Sequence, residues 1–269
     1  MGIVRDQWQQ LKASDHPLAR VLVRTLKAGA GTVRAARDGA RSITRSENPV
    51  LQFAFDPQYR WKFWVRLFKP SQVHQVAART RMDRYPEIFG ALRDHLGADA
   101  DVTMLSFGCS TGEEVMTLRQ YFPRARLVGA EINPRSLATA RARGLDDRIH
   151  FIHSEPRTIA AEGPYDVILC MAVLQRDPQL VIRNNITSLA KAYPFRQFDS
   201  TIRELDGWLK PGGLLVVHHA HYLVTDTGVA AHYAPLPGHD VKDTYAKFDR
   251  SGQLISVEHR SSSILQKSA

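Results

Sequence analysis

The sequence predicts an α/β fold on a mostly parallel sheet, and three observations carry that prediction. Short apolar runs of β type recur at 102–107, 126–130, 149–153, 165–170 and 213–219. Segments of helical periodicity lie between them at 112–121, 134–142 and 199–209. Strands alternating with helices argue for parallel pairing through right-handed crossovers. The first apolar run leads from Val102 through Phe107 into a turn from Gly108 to Gly112, then into Glu113, Glu114 and a helical pattern. Strand, tight turn and helix in that order are the unit from which such sheets are built.

The flanking segments are justified in chain order. Leu18, Val21, Leu22 and Leu26 recur at helical spacing with Arg20, Arg24 and Lys27 between them, so 17–44 reads as one or two amphipathic helices. Residues 46–58, with Asn48-Pro49 and Asp56-Pro57, read as a loop. Residues 59–68 mix aromatics with cations, a combination that suits a lid on the core, an interfacial helix or a stacking surface. A helix at 83–96 leads into the first strand. Near the C-terminus, 244–248 and 254–259 flank Asp249-Arg-Ser-Gly252, which predicts an antiparallel hairpin at the sheet edge. The connection 222–241 has little helical periodicity, so no helix is expected there. The expected organisation is a basic helical extension over 1–75 and a ligand-binding α/β domain over 76–269.

The turn carries the chemistry. Glycine lets the backbone approach a ligand, and the following helix aims its first N–H groups at the same place. The second run ends at Glu131, nineteen residues after Gly112. An acid at that distance, ending the next strand, is where a ribose diol is held in nucleotide-type folds. A dinucleotide site would require G-x-G-x-x-G, and Ser110 stands at its second glycine.

These residues resemble the class I methyltransferases that use S-adenosyl-L-methionine, over roughly residues 80–220. The turn from Gly108 to Glu114 is most similar to that of chemotaxis receptor methyltransferases of the CheR type. The segment from Pro164 to Leu174 is similar to the fourth-strand motif of the class, and 209–217, with Pro211-Gly-Gly213, to the turn into its fifth strand. The chain departs from the CheR pattern at Cys170-Met-Ala172, where that family has an Asn after Cys-Arg. The resemblance implies a Rossmann-like sheet with a C-terminal antiparallel hairpin, S-adenosyl-L-methionine as cofactor and S-adenosyl-L-homocysteine as product. It implies that Phe107, Gly108, Cys109, Ser110 and Gly112 cradle the cofactor, and that Glu131 and Ile132 meet the ribose. Ser154 and Glu155 would lie near adenine, and Cys170, Met171 and Val173 beside the methionine part. Arg84 matches a cation on the cofactor carboxylate, with Arg79 and Arg81 as alternatives, and Glu113 matches an acid for its ammonium.

After the fifth strand come His218, His219, His221 and Tyr222. Strand alternation would aim His219 and His221 the same way, towards the acceptor. An imidazole titrates near neutrality and can take a hydroxyl proton. Metal ligation is the rival role; Cys170 and His219 suit Mg²⁺ poorly, and no metal is expected. Tyr222 is a candidate to line the acceptor pocket. The aromatic segment suggests a small apolar or aromatic acceptor methylated at oxygen. A protein carboxyl group and a non-catalytic adaptor are the alternatives.

Composition bounds the rest. Hydrophobic residues make up 43% of 269, enough for a real core, and no apolar run approaches a membrane span. The N-terminus has no signal-peptide pattern, and two cysteines, Cys109 and Cys170, make no disulfide framework. A cytoplasmic location, peripheral at a membrane if recruited, is expected. Of the net charge of +9, residues 1–75 carry +8. Residues 1–45 therefore read either as a solvated face or as a docking segment for an anionic membrane or acidic protein, with no strong nucleic-acid signal.

Overall fold

The computed structural model describes residues 80–143, 146–176, 181 and 183–269. The basic helices of 17–44, the loop 46–58, the aromatic segment 59–68 and Arg79 lie outside the described residues, as does the recruiting role expected of 1–45.

The chain enters through helix α1 (Pro86–Leu96), with Pro86 in its first turn, where no intrahelical N–H is needed. It then alternates: β1 (Thr103–Phe107), α2 (Glu113–Tyr121), β2 (Arg126–Glu131), α3 (Pro134–Arg141), β3 (Ile149–His153), α4 (Pro156–Glu162), β4 (Tyr165–Met171), α5 (Phe195–Trp208) and β5 (Leu209–His218). Strands β1 to β5 are parallel, in the order β3-β2-β1-β4-β5. Successive residues of one strand serve opposite cores. Leu105, Val128, Ile168 and Leu215 pack on one face; Met104, Leu127, Val167 and Leu214 pack on the other. Burial on both faces is why these strands read as continuous apolar runs. The chain order reverses between β1 and β4, which opens a crevice beyond the carboxyl ends of those strands.

One expectation about the C-terminal part is corrected, the place of the hairpin. The sheet is completed by β6 (Tyr233–Pro235) and β11 (Ile264–Lys267), with β11 antiparallel to both β5 and β6. The predicted hairpin forms from β8 (Lys247–Phe248) and β9 (Leu254–Ser256), but as a separate two-stranded sheet. Its turn is fixed by the Asp249 carboxylate, which accepts the N–H groups of Ser251 and Gln253 at 2.9 Å. The hairpin is then tied down elsewhere: Phe248 N–H donates to His221 O and Leu254 N–H to Thr187 O. The strands β7 (Lys242–Asp243) and β10 (Ser261–Ser262) form another small pair. Between β5 and β6 the chain makes two 3-10 turns and no α-helix. Among the described residues, no helix is long and apolar enough to cross a membrane.

Candidate functional site

The turn after β1 is built on left-handed backbone. Gly108, Ser110 and Gly112 have φ of +78°, +52° and +92°. The N–H groups of Gly108 and Cys109 both donate to Ala130 O, at 2.8 and 3.1 Å. Glu131 holds the rest. One carboxylate oxygen accepts Ser110 N–H at 2.8 Å, and the other accepts Asn133 N–H at 2.6 Å. A single acid at the end of β2 therefore shapes the turns after both β1 and β2. Burial raises its pKa, and the N–H bonds oppose that rise only in part. A Cβ on Gly108 would stand 2.6 Å from Val173 Cγ2, and one on Gly112 2.8 Å from Phe151 Cζ. A Gly108→Ala protein is expected to lose about 1–2 kcal/mol from left-handed strain, with further loss from that clash. Urea unfolding measures it; an unchanged midpoint would mean that the turn relaxes at no cost.

Arg84 and Glu114 gather beside this turn. Asp83 N–H donates to Thr117 Oγ1 at 2.9 Å, which pins the approach to α1 against α2. The Arg84 guanidinium lies 5.0 Å from the centre of the Tyr85 ring. Glu114 accepts the Ser106 hydroxyl at 2.8 Å. Burial pushes its pKa up to about 7, against the pull of Ser106 and of the Arg84 charge. The expected acid, Glu113, is turned elsewhere: it accepts Thr111 Oγ1 at 2.6 Å and pairs with Arg143. Glu114 was not among the residues expected from the sequence to meet the cofactor. The signal was Ser106, a hydroxyl within an apolar strand that needs a buried partner.

The other expected positions divide. Val173 and Phe107 are half-buried beside the turn, and Ile132 is half-buried after Glu131. Ser154 N–H donates to Glu131 O, so 154 adjoins the acid, while Glu155 is exposed and caps α4. Cys170 is wholly buried in one core and Met171 in the other, and burial raises the Cys170 thiol pKa. Cys170 is a small core side chain. Among the described residues, no group of three or more His, Cys, Asp or Glu is arranged to hold a metal ion.

The cluster after β5 differs from the expectation of alternation. The strand ends at His218, and His219 has φ of +55°, so the period of two stops there. His219 turns towards Tyr85 and Tyr245, with Nδ1 3.3 Å from the Tyr85 hydroxyl. Burial, then the neighbouring His218, hold its pKa well below the usual histidine value, so it gives no titration near neutrality. His221 is wholly buried, with Nδ1 and Nε2 each 3.0 Å from a backbone carbonyl, those of Ala246 and Arg176. Tyr222 is buried too, and its hydroxyl donates to Tyr193 O at 2.5 Å. His221 and Tyr222 therefore brace loops and do not join His219.

The donor set fits the expected cofactor. A glycine turn, an acid at the next strand end, and Arg84 and Glu114 as a cation and an acid offer partners for a ribose, a carboxylate and an ammonium. In the same turn Ser110 Oγ is buried with no hydrogen-bond partner among the described residues, as a group awaiting a polar ligand is.

Comparison with known proteins adds to this geometry. Residues 105–215 match a family model described as a methyltransferase domain. No curated protein sequence matches the chain. Among solved structures, the plantazolicin methyltransferase BpumL in complex with SAH is 14% identical, over 68% of this chain and 61% of that one, with a TM-score of 0.37. TehB from Haemophilus influenzae is 11% identical, over 68% and 62%, with a TM-score of 0.43. CalS10, an amino pentose methyltransferase from Micromonospora echinaspora bound to SAM, is 22% identical, over 64% and 58%, with a TM-score of 0.36. The chain thus spans about 60% of the length of these three structures. The architecture is Rossmann-like, a mostly parallel sheet with antiparallel strands near its C-terminus, and the match to a methyltransferase domain over 105–215 supports S-adenosyl-L-methionine as cofactor.

Proposed function

We propose that this chain is an S-adenosyl-L-methionine-dependent methyltransferase that methylates a small organic acceptor at oxygen. One observation carries the reading. At the crevice where the strand order reverses, Glu131 braces the glycine turn, and Glu114, in the first turn of the helix that follows it, feels the charge of Arg84. Glu131 would hold the ribose hydroxyls, Arg84 the carboxylate by paired N–H donors, and Glu114 the ammonium. The bound cofactor supplies an already activated methyl group. What remains for the chain is to bind, to orient the acceptor oxygen and to exclude water.

Calorimetry with S-adenosylhomocysteine tests this. Charged hydrogen bonds contribute about 1.5–3 kcal/mol, so Glu131→Gln should weaken binding by roughly 10- to 150-fold. Gln keeps one acceptor oxygen for the turn, and the urea midpoint reports whether the variant folds. Unchanged affinity in a folded Glu131→Gln protein would remove Glu131 from the site. Absence of binding by the wild type would remove the methyltransferase reading itself.

A further inference from the structure

We propose that the acceptor subsite presents His219 Nε2–H as a hydrogen-bond donor, and that the methyl acceptor is therefore a carboxylate. This rests on the methyltransferase reading above. The imidazole is packed against three rings. It stacks on Tyr245 with centres 4.2 Å apart and planes 18° apart, meets His218 at 4.1 Å, and takes the edge of Tyr85 at 5.4 Å. The backbone behind it is also fixed. Asp243 accepts Ala220 N–H at 3.1 Å and Tyr245 N–H at 3.0 Å, and Lys247 donates to Ala220 O. Arg84, proposed for the cofactor carboxylate, stacks on the same Tyr85 ring. The imidazole is thus one ring away from that end of the cofactor.

The proton positions follow from this geometry. The Tyr85 hydroxyl has one hydrogen-bond partner among the described residues, His219 Nδ1 at 3.3 Å. Burial raises the phenol pKa, so the hydroxyl keeps its proton and gives it to the hydrogen bond. Nδ1 is then the unprotonated nitrogen. His219 is neutral, because burial and the charges of His218, Arg84 and Lys247 outweigh the attraction of Asp243. A neutral imidazole carries one proton, which must sit on Nε2. Nε2 has no hydrogen-bond partner among the described residues. A hydroxyl acceptor would need an unprotonated base at this point. A carboxylate is ionised at neutral pH, accepts the N–H and needs no base. Its oxygen lone pair forms the new O–C bond as the methyl–sulfur bond breaks, with that electron pair going to sulfur. No proton is transferred, and the products are a methyl ester and a neutral thioether.

Long-range ¹H–¹⁵N correlation spectra of the full ¹⁵N-labelled chain read the tautomer directly, with His219 assigned by its loss in His219→Gln. At pH 7 the expected pattern is a pyridine-like Nδ1 and a pyrrole-like Nε2. Tyr85→Phe should bring up the other tautomer. With S-adenosylhomocysteine present, benzoate should shift Nε2 and phenol should not, and His219→Gln should weaken benzoate binding at least several-fold. A pyridine-like Nε2 in the wild type overturns the proposal. So does a response to phenol without one to benzoate, or benzoate binding indifferent to His219→Gln. Failure of S-adenosylhomocysteine to bind at all would instead sink the cofactor reading, while the tautomer in the free chain still decides the donor geometry.

Discussion

A Lys247→Met protein is expected to be about 3–5 kcal/mol less stable than the wild type, the cost of breaking a buried ion pair by removing one partner. The side chains of Lys247 and Asp243 are only 1% and 2% exposed, and they meet at 2.6 Å. Burial would raise the Asp243 pKa, but Lys247 and the backbone N–H of Ala220 hold it below the usual carboxylate value. Without the ammonium, that carboxylate is left charged in the interior, and Ala220 O loses its donor. Removing both charges should cost much less: the double variant Asp243→Asn, Lys247→Met should recover a large share of the loss. Urea unfolding of the four proteins of this cycle measures it. A loss below about 1 kcal/mol for Lys247→Met would match a solvated pair and contradict the burial.

That pair also marks the limit of what the sequence discloses. Asp243 and Lys247 are four apart and would ordinarily read as a solvated surface pair. Here they lie in the short strands β7 and β8, and only the folded chain brings both side chains onto the backbone of Ala220. The parallel strands were legible because both faces of the sheet are buried, so nearly every residue of β1 to β5 had to be apolar. Helix α4 was not, because Ile159 is its one buried residue and leaves no stripe. The strand β11, which lies between β5 and β6, was missed for a related reason: Ile264 and Leu265 alone are buried in it, too short a signal to read as a strand.

The turn after β1 and the acid that braces it were legible because their chemistry is local. Gly108, Gly112 and Glu131 announce a turn and an acid within one β-α-β unit, and the fold needs them there. The adjacent acids Glu113 and Glu114 could not be told apart in that way. Both lie in the first turn of α2, and only their partners separate them: Ser106 eight residues before Glu114, and Arg143 thirty residues beyond Glu113. His219 and His221 were read as neighbours on one strand face, but the positive φ at His219 ends the strand period. No residue-type pattern requires a histidine to adopt that conformation, which Gly or Asn takes more readily.

The affinity for S-adenosylhomocysteine is expected to fall as pH drops below 7, approaching tenfold per unit, and so by about 50-fold between pH 7 and pH 5. The group responsible is Glu114, whose pKa burial pushes up to about 7 in the free protein. An ammonium ion binds the ionised carboxylate, so below that pKa binding must first remove a proton. Above about pH 8 the group is already ionised and the dependence disappears. The other titratable groups that act on Glu114 do not compete, because burial keeps Tyr85, Cys109 and Cys170 protonated. Glu131 is also raised and would add to the fall, so Glu114→Gln is the control. That variant should bind more weakly at pH 8 and lose most of the slope. The same shift acts on stability with the opposite sign. A carboxylate raised in the folded state binds more protons there than when unfolded, so its contribution is greatest below the unfolded value and is lost as pH rises through about 7. S-adenosylhomocysteine should therefore stabilise the fold more at pH 8, where Glu114 is ionised, than at pH 5. Calorimetric titrations at pH 5, 6, 7 and 8 decide it, and a slope that survives intact in Glu114→Gln would assign the proton to another group.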